Sequence, residues 1–317
     1  MPLRVPLHWA TSVRGVAAQP SHPLDGLSAD QLSDVVAILK KDGRLTDDSR
    51  FPLIELVEPG KESVLAWKSE DLIPRQVRVV VKQGNDTHRG LVDLGNDTVI
   101  QWDAAAGESM IMLEELLGAM DLALRHPAFS AALDKRKPTP EAVFCLPLTA
   151  GNFGAGEETG RRIMKVPCYV LPSESNFYAR PVEGLFAVVD LNAGDVMEVV
   201  DTGVVPLPEQ PWGYTEAEIE ARHGALRPET SPARLHQPAG ANFKLEGSRI
   251  EWDMWRFHFR VDKRLGVVMS LIQAKDRDRW RSVLYQAHLS EVFVPYMDTS
   301  EGWYWRIYMD SGEYGFG

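Results

Sequence analysis

Apolar residues recur at two different spacings along this 317-residue chain, and the order of the two spacings repeats. Residues 28–43 carry apolar side chains at helical spacing, and short runs rich in β-branched residues follow them. The same order returns between residues 105 and 204. A period near 3.6 indicates a helix that buries one face, whereas short alternating runs indicate strands. The pattern therefore predicts two successive units, each with one helix and an antiparallel sheet.

The first helix has a clear predicted start and end. Ser28 fits an N-cap and Gln31 stands three residues later, which is the capping-box pattern. Gly43 fits a C-terminal stop. Four apolar residues between them fall at i, i+3, i+4 and i+7: Leu32, Val35, Val36 and Leu39. The cap contributes about 1 kcal/mol, so most of the helix's stability must come from packing this apolar face against a sheet.

Five short runs after this helix predict the strands of the first sheet. They read PLIELVEP, SVLAWKS, RQVRVVVKQ, GLVDL and TVIQW. In the third run, Val77, Val79 and Val81 alternate with a second set that includes Arg78 and Lys82. Because successive side chains of a strand point to opposite faces, this alternation predicts that one face of the sheet is buried.

The second unit begins with a helix that is predicted to end before Pro127. Four strand-like runs follow it: AVFCLPL, RIMKVPCYVL, GLFAVVDL and VMEVVDTGVV. Residues 205–240 are then rich in proline and contain one short helical stretch, which predicts a linker. Five of the nine tryptophans lie between Trp252 and Trp305 among further strand-like runs, which predicts the opening of an all-β sandwich.

The predicted fold class is therefore α+β, with two small helix-plus-antiparallel-sheet domains followed by the start of a large all-β sandwich. The predicted divisions are an extended lead-in at 1–20, small domains at 21–104 and 105–204, a linker at 205–240 and the truncated sandwich at 241–317.

Charge and composition exclude several classes of partner. The net charge of −11 argues against nucleic acid, because binding phosphates requires clustered Lys and Arg. No apolar run approaches the ~20 residues of a membrane-spanning helix, so no membrane partner is expected. The first residues lack the apolar core of a secretory signal. A cytoplasmic location is expected, with the peroxisome as the alternative.

Metal-ligand patterns are sparse in this sequence. Cys145 and Cys168 are the two cysteines, and the chain contains neither CxxC nor HExxH nor a His-x-His pair. The eight histidines are scattered. A complete metal site within this chain is therefore not expected, and neither is a cofactor-binding residue.

Several segments, in order, resemble the copper/topaquinone primary amine oxidase family. They read FPLIELVEPGK, VFCLPLTAGNFG, RRIMKVPCYV, FYARPVEGLFAVVDLNAGDVMEVVDTG, HQPAGANFKLEGSRIEWDMWRFHFRVDKRLGVVM, LSEVFVPYMD and WYWRIYMDSGEYGFG. The resemblance covers most of residues 20–317 and implies two small cystatin-like α+β domains followed by a β-sandwich.

The resemblance assigns roles to residues near the end of the chain. The family's Y-x-D-x-G-[DE]-Y pattern reads Tyr308-Met-Asp-Ser-Gly-Glu-Tyr314 here, which makes Asp310 the candidate base that removes a proton from the amine's α-carbon. Tyr308 takes the position of a gate over the substrate channel. Tyr296 takes the position of the V-P-Y tyrosine that hydrogen-bonds the quinone oxygen.

Further residues follow from the same resemblance. Phe153, Tyr178 and Tyr314 take positions that line the substrate channel in relatives. Some relatives also bridge cysteines at the positions of Cys145 and Cys168. Two reduced, buried thiols are the alternative and would suit a cytosolic protein. The sequence leaves both redox states open.

The sequence departs from the family in two places. The V-P-Y motif continues with Met297 and Asp298 rather than Gly-Asp, and glycine often supplies positive φ at such a turn. The Asn-Tyr-[Asp/Glu] motif that yields topaquinone is missing, as is the His-x-His pair that holds copper. The 317-residue chain alone is therefore expected to be inactive.

Two functions remain open at this point. The complete family member would be a homodimer that holds copper and topaquinone and oxidises a primary amine with O2. The alternative is a non-catalytic, truncated relative that acts as a fold or binding module, with sheet edges available to partners.

Overall fold

Helices and antiparallel sheets alternate along the computed structural model. It describes residues 20–137, 142–149, 153, 156–171, 176–209, 213–228, 230–231, 233–234, 236–289 and 294–307. These residues divide into two units. Unit one contains the described residues of 20–107 and 237–289, and unit two contains those of 108–236 and 294–307. Both units contain helix and sheet, so the predicted α+β class is confirmed.

In unit one, a four-stranded antiparallel sheet follows the first helix, with strand order β1-β2-β3-β4. Its elements are α1 (Ala29–Lys41), β1 (Arg50–Val57), α2 (Lys61–Ala66), β2 (Gln76–Gln83), β3 (Asp86–Asp93) and β4 (Thr98–Ala104).

The cap and the buried face of this sheet agree with the sequence pattern. The Ser28 hydroxyl accepts the Gln31 amide at 3.2 Å, and the Gln31 side chain accepts the Ser28 amide at 3.2 Å. Val77, Val79 and Val81 are all fully buried. They share a core with the apolar face of α1, which supplies the packing that the short helix needs.

One predicted strand is wrong. The run SVLAWKS was expected to be extended, but Lys61–Ala66 forms helix α2. Within that helix only Val64 is β-branched, and it is also the buried residue. Lys, Glu, Leu and Ala favour helix, and Glu62 in the first turn interacts favourably with the helix dipole. Local propensity therefore prevails in a segment that buries a single side chain.

A second antiparallel sheet of unit one has five strands in sequence order. They are β10 (Phe243–Glu246), β11 (Arg249–Trp252), β12 (Trp255–Asp262), β13 (Gly266–Asp276) and β14 (Arg279–Ala287). His258, Val268 and Ser270 are buried in this sheet, whereas Val267 and Met269 between them are exposed. The tryptophan-rich region is thus strand-forming, as the sequence predicts.

Unit two packs two helices against a third antiparallel sheet. Its elements are α3 (Leu113–Arg125), α4 (Pro127–Asp134), β5 (Val143–Cys145), β6 (Leu148–Thr149), β7 (Ile163–Val170), a 3-10 helix (Phe177–Ala179), β8 (Pro181–Asp190), β9 (Asp195–Asp201) and α5 (Glu216–His223). The strand order is β5-β7-β8-β9, and β6 pairs with β7. Among the helices of the described residues, none combines the length and apolarity that crossing a bilayer requires.

Pro127 both ends α3 and begins α4, a helix that the sequence pattern did not predict. Proline is favoured at the first helical position because its missing N–H needs no partner there. Phe129, Ala132 and Leu133 of α4 are buried in the core of unit two. The second helix therefore contributes much of the packing beneath this sheet.

A disulfide joins Cys145 and Cys168 in unit two. The two residues are paired directly across β5 and β7, and each is 1% exposed. Closing a chain segment of 23 residues restricts the unfolded state, which is worth about 3 kcal/mol by loop entropy.

We expect reduction to raise the intact mass by two hydrogens and to lower the melting temperature of unit two, because the unfolded chain regains that entropy. Intact-mass spectrometry and calorimetry with and without reductant check this. Alkylation of both thiols in unreduced, denatured protein would contradict the disulfide.

Candidate functional site

Three of the six residues assigned to chemistry or to the channel lie among the described residues, and all three are in unit two. They are Phe153, Tyr178 and Tyr296. Asp310, Tyr308 and Tyr314 lie outside the described residues. The site is therefore built from the segment 294–307 that leads towards Asp310 and from the strands that contact this segment.

Tyr296 is held by pairing between the two ends of this segment. Pro295 and Ile307 form an antiparallel bridge, and the Tyr296 amide donates to the Arg306 carbonyl at 3.3 Å. The Tyr296 ring lies 5.5 Å from the Trp303 ring, and the residue is 42% exposed. The V-P-Y segment and the segment before Asp310 are thus neighbours in space.

Met297 stands where the family's V-P-Y motif continues with glycine, and its backbone has a positive φ. Its φ is 60°, in the left-handed region where glycine is usual. A non-glycine residue there costs about 1–2 kcal/mol. The turn after Tyr296 therefore keeps a glycine-like geometry although the glycine is replaced.

Each of the two predicted channel residues that the structure describes packs against an aromatic ring. Phe153 packs edge-on against Tyr304 at 5.8 Å, and Tyr178 packs edge-on against Tyr169 at 5.4 Å. Tyr178 also lines a cavity of about 180 Å³. Other residues that line this cavity are Tyr169, Glu183, Phe186, Trp303 and Arg306. The structure thus brings Tyr178 and the 302–306 segment to one cavity.

A buried cation beneath this segment was missed from the sequence. The Lys165 side chain is 3% exposed, and its ammonium pairs with Glu158 at 3.0 Å. It also donates to the Tyr304 hydroxyl at 3.2 Å. The sequence did contain a signal for this cation, because a single lysine interrupts the apolar run of β7. A charge buried there needs polar or charged partners.

A separate polar cluster lies in unit one. His258 Nε2 and Asp25 Oδ1 are 2.8 Å apart, and both residues are buried. Burial alone would raise the pKa of Asp25. Hydrogen bonds from His258 and Ser248, and from the amides of Ser21 and His22, nevertheless hold this pKa well below its usual range. The cluster ties the start of the described chain to strand β12.

His22 makes unit one sensitive to pH. The pKa of His22 is lowered from 6.5 to about 4, chiefly by burial and also by nearby His258, while Asp25 opposes both. Its Nδ1 accepts the Leu24 amide at 3.1 Å, which requires that nitrogen to be unprotonated. Between pH 6.5 and 4 the unfolded state therefore binds a proton that the folded state does not.

We accordingly expect the free energy of unfolding of unit one to fall by about 1–2 kcal/mol as the pH drops from 6.5 to 4, after allowance for partial solvent exposure. The variant His22→Asn keeps an acceptor but cannot titrate there, so its stability should depend less on pH. Calorimetry at several pH values compares the two proteins. Equal slopes in this window would contradict the assignment to His22.

The copper implied by the resemblance finds no ligand set in the described part of the chain. No group of three or more His, Cys, Asp or Glu residues there is arranged to hold a metal ion. The sequence likewise offers no Asn-Tyr dipeptide as precursor of the quinone. These residues do not fit either group, so no chemical step is assigned to copper or to the quinone within this chain.

Comparison with known proteins finds the same family along nearly the whole chain. Family models match residues 22–105 as the "Copper amine oxidase, N2 domain", 114–215 as the "N3 domain" and 244–317 as the "enzyme domain".

Curated relatives agree with these matches. The chain is 33% identical over 308 residues to "Amine oxidase [copper-containing] gamma 1" of Arabidopsis thaliana, which covers 94% of this chain and 43% of the relative. It is also 33% identical over 303 residues to "Primary amine oxidase" of Klebsiella aerogenes, covering 93% and 39%. The chain thus spans less than half the length of these relatives.

A solved structure supports the fold. The copper-containing benzylamine oxidase from Hansenula polymorpha matches with a TM-score of 0.77 and 23% identity, over 93% of this chain and 48% of that one. Three models of one family account for most of residues 22–317, in the family's domain order. The chain belongs to the copper amine oxidase family.

Proposed function

We propose that this chain is part of a primary amine oxidase that converts R–CH2–NH2, O2 and H2O to R–CHO, NH3 and H2O2. The observation that carries the proposal is the match of residues 244–317 to the enzyme domain, together with the small domains that precede it. Over the aligned 308 and 303 residues, these two curated relatives are each 33% identical to this chain. In this reaction a base must remove a proton from the carbon next to the nitrogen, and this chain contains a candidate for that base.

Asp310 is the proposed base for that step. An ionised carboxylate within hydrogen-bond reach of an acidified C–H removes its proton, and such bases contribute about 10²–10⁴-fold in rate. Burial raises a carboxyl pKa towards the working pH and so improves the base. The ring-rich segment 294–307 that precedes Asp310 supports this environment.

Tyr296 is proposed to form a hydrogen bond within the same site. Tyr308 is proposed as the gate over the entrance to that site. The position of Tyr296 supports its role, because its backbone pairs with Arg306 four residues before Asp310. The partly exposed phenol remains accessible to a ligand. A tyrosine hydroxyl can both donate and accept a hydrogen bond, which suits a group that holds a reacting molecule.

Phe153, Tyr178 and Tyr314 are proposed to contact the side chain of the amine. The cavity beside Tyr178 supports this for Tyr178, since its volume is about 180 Å³ and the rings of Tyr169, Phe186 and Trp303 also line it. An apolar cavity of about 150 Å³ can hold a benzene ring. Benzylamine is therefore the first probe for turnover.

The complete protein is proposed to hold copper and topaquinone, which would supply the electrophile and pass electrons to O2. This 317-residue chain alone is proposed to bind no catalytic copper and to oxidise no amine, because it lacks the precursor and ligand motifs. Metal analysis and a quinone redox stain on the purified chain test this. A positive result on both would refute it.

Hydrogen peroxide release from benzylamine by the full-length protein tests the activity itself. We expect peroxide and benzaldehyde in equal amounts. A full-length protein that is loaded with copper and gives neither product with benzylamine or with an aliphatic amine would contradict the proposed activity.

The complete protein is also proposed to be a homodimer, which light scattering would check. It is proposed to be cytoplasmic, with the peroxisome as the alternative, which cell fractionation would check.

A non-catalytic module is the second candidate, because these 317 residues contain neither the Asn-Tyr-[Asp/Glu] motif nor a His-x-His pair. The reading frame beyond Gly317 separates the two candidates. An in-frame Asn-Tyr-[Asp/Glu] followed by His-x-His supports the oxidase. A genuine stop codon at that point supports the module.

A further inference from the structure

Lys165 is a buried cation whose surroundings belong to the segment that leads to the proposed base. It lies in β7, between Met164 and Val166, and only 2% of its surface is exposed. Its two neighbours pack into the core on one face of the sheet. Because strand side chains alternate, Lys165 points to the opposite face, away from that core.

Three aromatic rings lie close to its ammonium. The centroids of Tyr304, Trp305 and Phe186 are 5.1, 5.5 and 6.0 Å from Nζ. A cation within about 6 Å of a ring centroid is attracted by the ring quadrupole. The Tyr304 hydroxyl adds a hydrogen bond at 3.2 Å, and the Glu158 carboxylate at 3.0 Å balances the charge. A buried charge needs such partners, so they fix its position.

Two of these rings, those of Tyr304 and Trp305, belong to a turn at residues 301–305. Trp305 is fully buried, and its indole N–H donates to the Glu301 carbonyl at 3.1 Å. The Arg306 guanidinium stacks on Trp303 at 3.9 Å. Two residues after Trp305, Ile307 bridges to Pro295, beside Tyr296. Lys165 therefore contacts a turn that lies between Tyr296 and Asp310 in the sequence and that ends next to the bridge beside Tyr296.

We propose that Lys165 is a positioning residue for amine oxidation. Its ammonium holds Tyr304 and Trp305 against β7 and thereby fixes the segment that places Tyr296 and leads to Asp310. This inference rests on the proposed function for its catalytic consequence, whereas the anchoring itself can be measured without activity.

The first experiment measures amide hydrogen exchange in the 317-residue chain. Lys165→Met removes the charge but keeps the stem, and Lys165→Arg keeps a cation. Val166→Ala is the matched control, because it removes core packing from the next residue of the same strand. We expect exchange in peptides covering residues 300–307 to be about 10-fold faster in Lys165→Met alone. Unchanged exchange in that variant, or an equal increase in Val166→Ala, would overturn the anchoring.

The second experiment measures benzylamine turnover by the full-length variants. A displaced base mainly lowers kcat, so we expect Lys165→Met to lose about 10–100-fold in kcat with KM changed far less. Lys165→Arg should recover most of the loss, and Val166→Ala should keep kcat near normal despite its lower stability. Normal kcat in Lys165→Met overturns the catalytic part of the proposal. An inactive wild-type protein would instead count against the proposed function, and the exchange result would still decide the anchoring.

Discussion

Replacing Asp310 by Asn in the full-length protein should lower kcat for benzylamine by at least ~100-fold. The amide has nearly the same shape as the carboxylate but cannot accept a proton at neutral pH. Proton removal from the α-carbon would then depend on water or a weaker base. Steady-state peroxide release, with protein stability checked in parallel, measures the effect.

Asp298→Asn is the matched control for this substitution. Asp298 belongs to the segment 294–307, which precedes Asp310. Its exposed carboxylate accepts a hydrogen bond from the Ser300 amide at 2.7 Å, and the side-chain oxygen of Asn can accept the same bond. We expect this variant to keep kcat within about threefold of normal. If both variants lost activity equally, the loss would reflect the charge of the segment rather than a base. Near-normal turnover in Asp310→Asn would remove that residue from the role.

Replacing Arg162 by Met should destabilise unit two by about 3–5 kcal/mol. The Arg162 side chain is 3% exposed and pairs with Glu115 at 2.8 Å through two nitrogens. It also donates to the carbonyls of Ser109 and Met110 at 2.7 and 2.9 Å. The substitution takes these donors from two carbonyls and from the Glu115 carboxylate, which is 13% exposed, and this is costlier than losing the pair altogether.

The neighbouring Arg161→Met serves as the control for this prediction. The Arg161 side chain is 48% exposed and pairs with Asp190 at 3.0 Å. The Asp190 carboxylate is only 6% exposed, but it keeps the hydrogen bonds from the amides of Asn192 and Ala193, so this variant should lose about 1–2 kcal/mol, less than Arg162→Met. Urea unfolding of both variants in parallel gives the comparison. Similar losses in the two variants would mean that the burial of Arg162 contributes little.

Short sequence patterns predicted those elements whose stabilising contacts are specified within a few neighbouring residues. The Ser28 cap and the alternating valines of β2 correspond to contacts that a short stretch of sequence specifies. Helix α2 was missed because a six-residue helix that buries one side chain shows no helical periodicity in its sequence. Helix α4 was missed because Pro127 reads equally well as the end of one helix and the start of another.

The buried cations were out of reach for a different reason. Arg162 finds its carboxylate 47 residues earlier in the chain, and Lys165 finds Tyr304 139 residues later. A pattern within one strand shows only that a charge interrupts an apolar run. It does not show which distant groups contact that charge, since the fold decides that.

Some features of the candidate site could be predicted from the sequence and others could not. The family resemblance assigned Phe153, Tyr178 and Tyr296, and the described structure places them among aromatic neighbours in unit two. The left-handed Met297 could be anticipated from the missing glycine. The contacts of Lys165 with Tyr304 and Trp305 could not, because they join β7 to a segment far along the chain.

The position of the Asp310 carboxylate in an experimental structure of the full-length protein, with a bound amine analogue, tests the central claim most directly. The proposed chemistry predicts that this carboxylate is shielded from bulk solvent and lies near the ligand's α-carbon, in a cavity shared with Tyr296. A carboxylate that projects into open water, remote from Tyr296 and from the ligand, would contradict it.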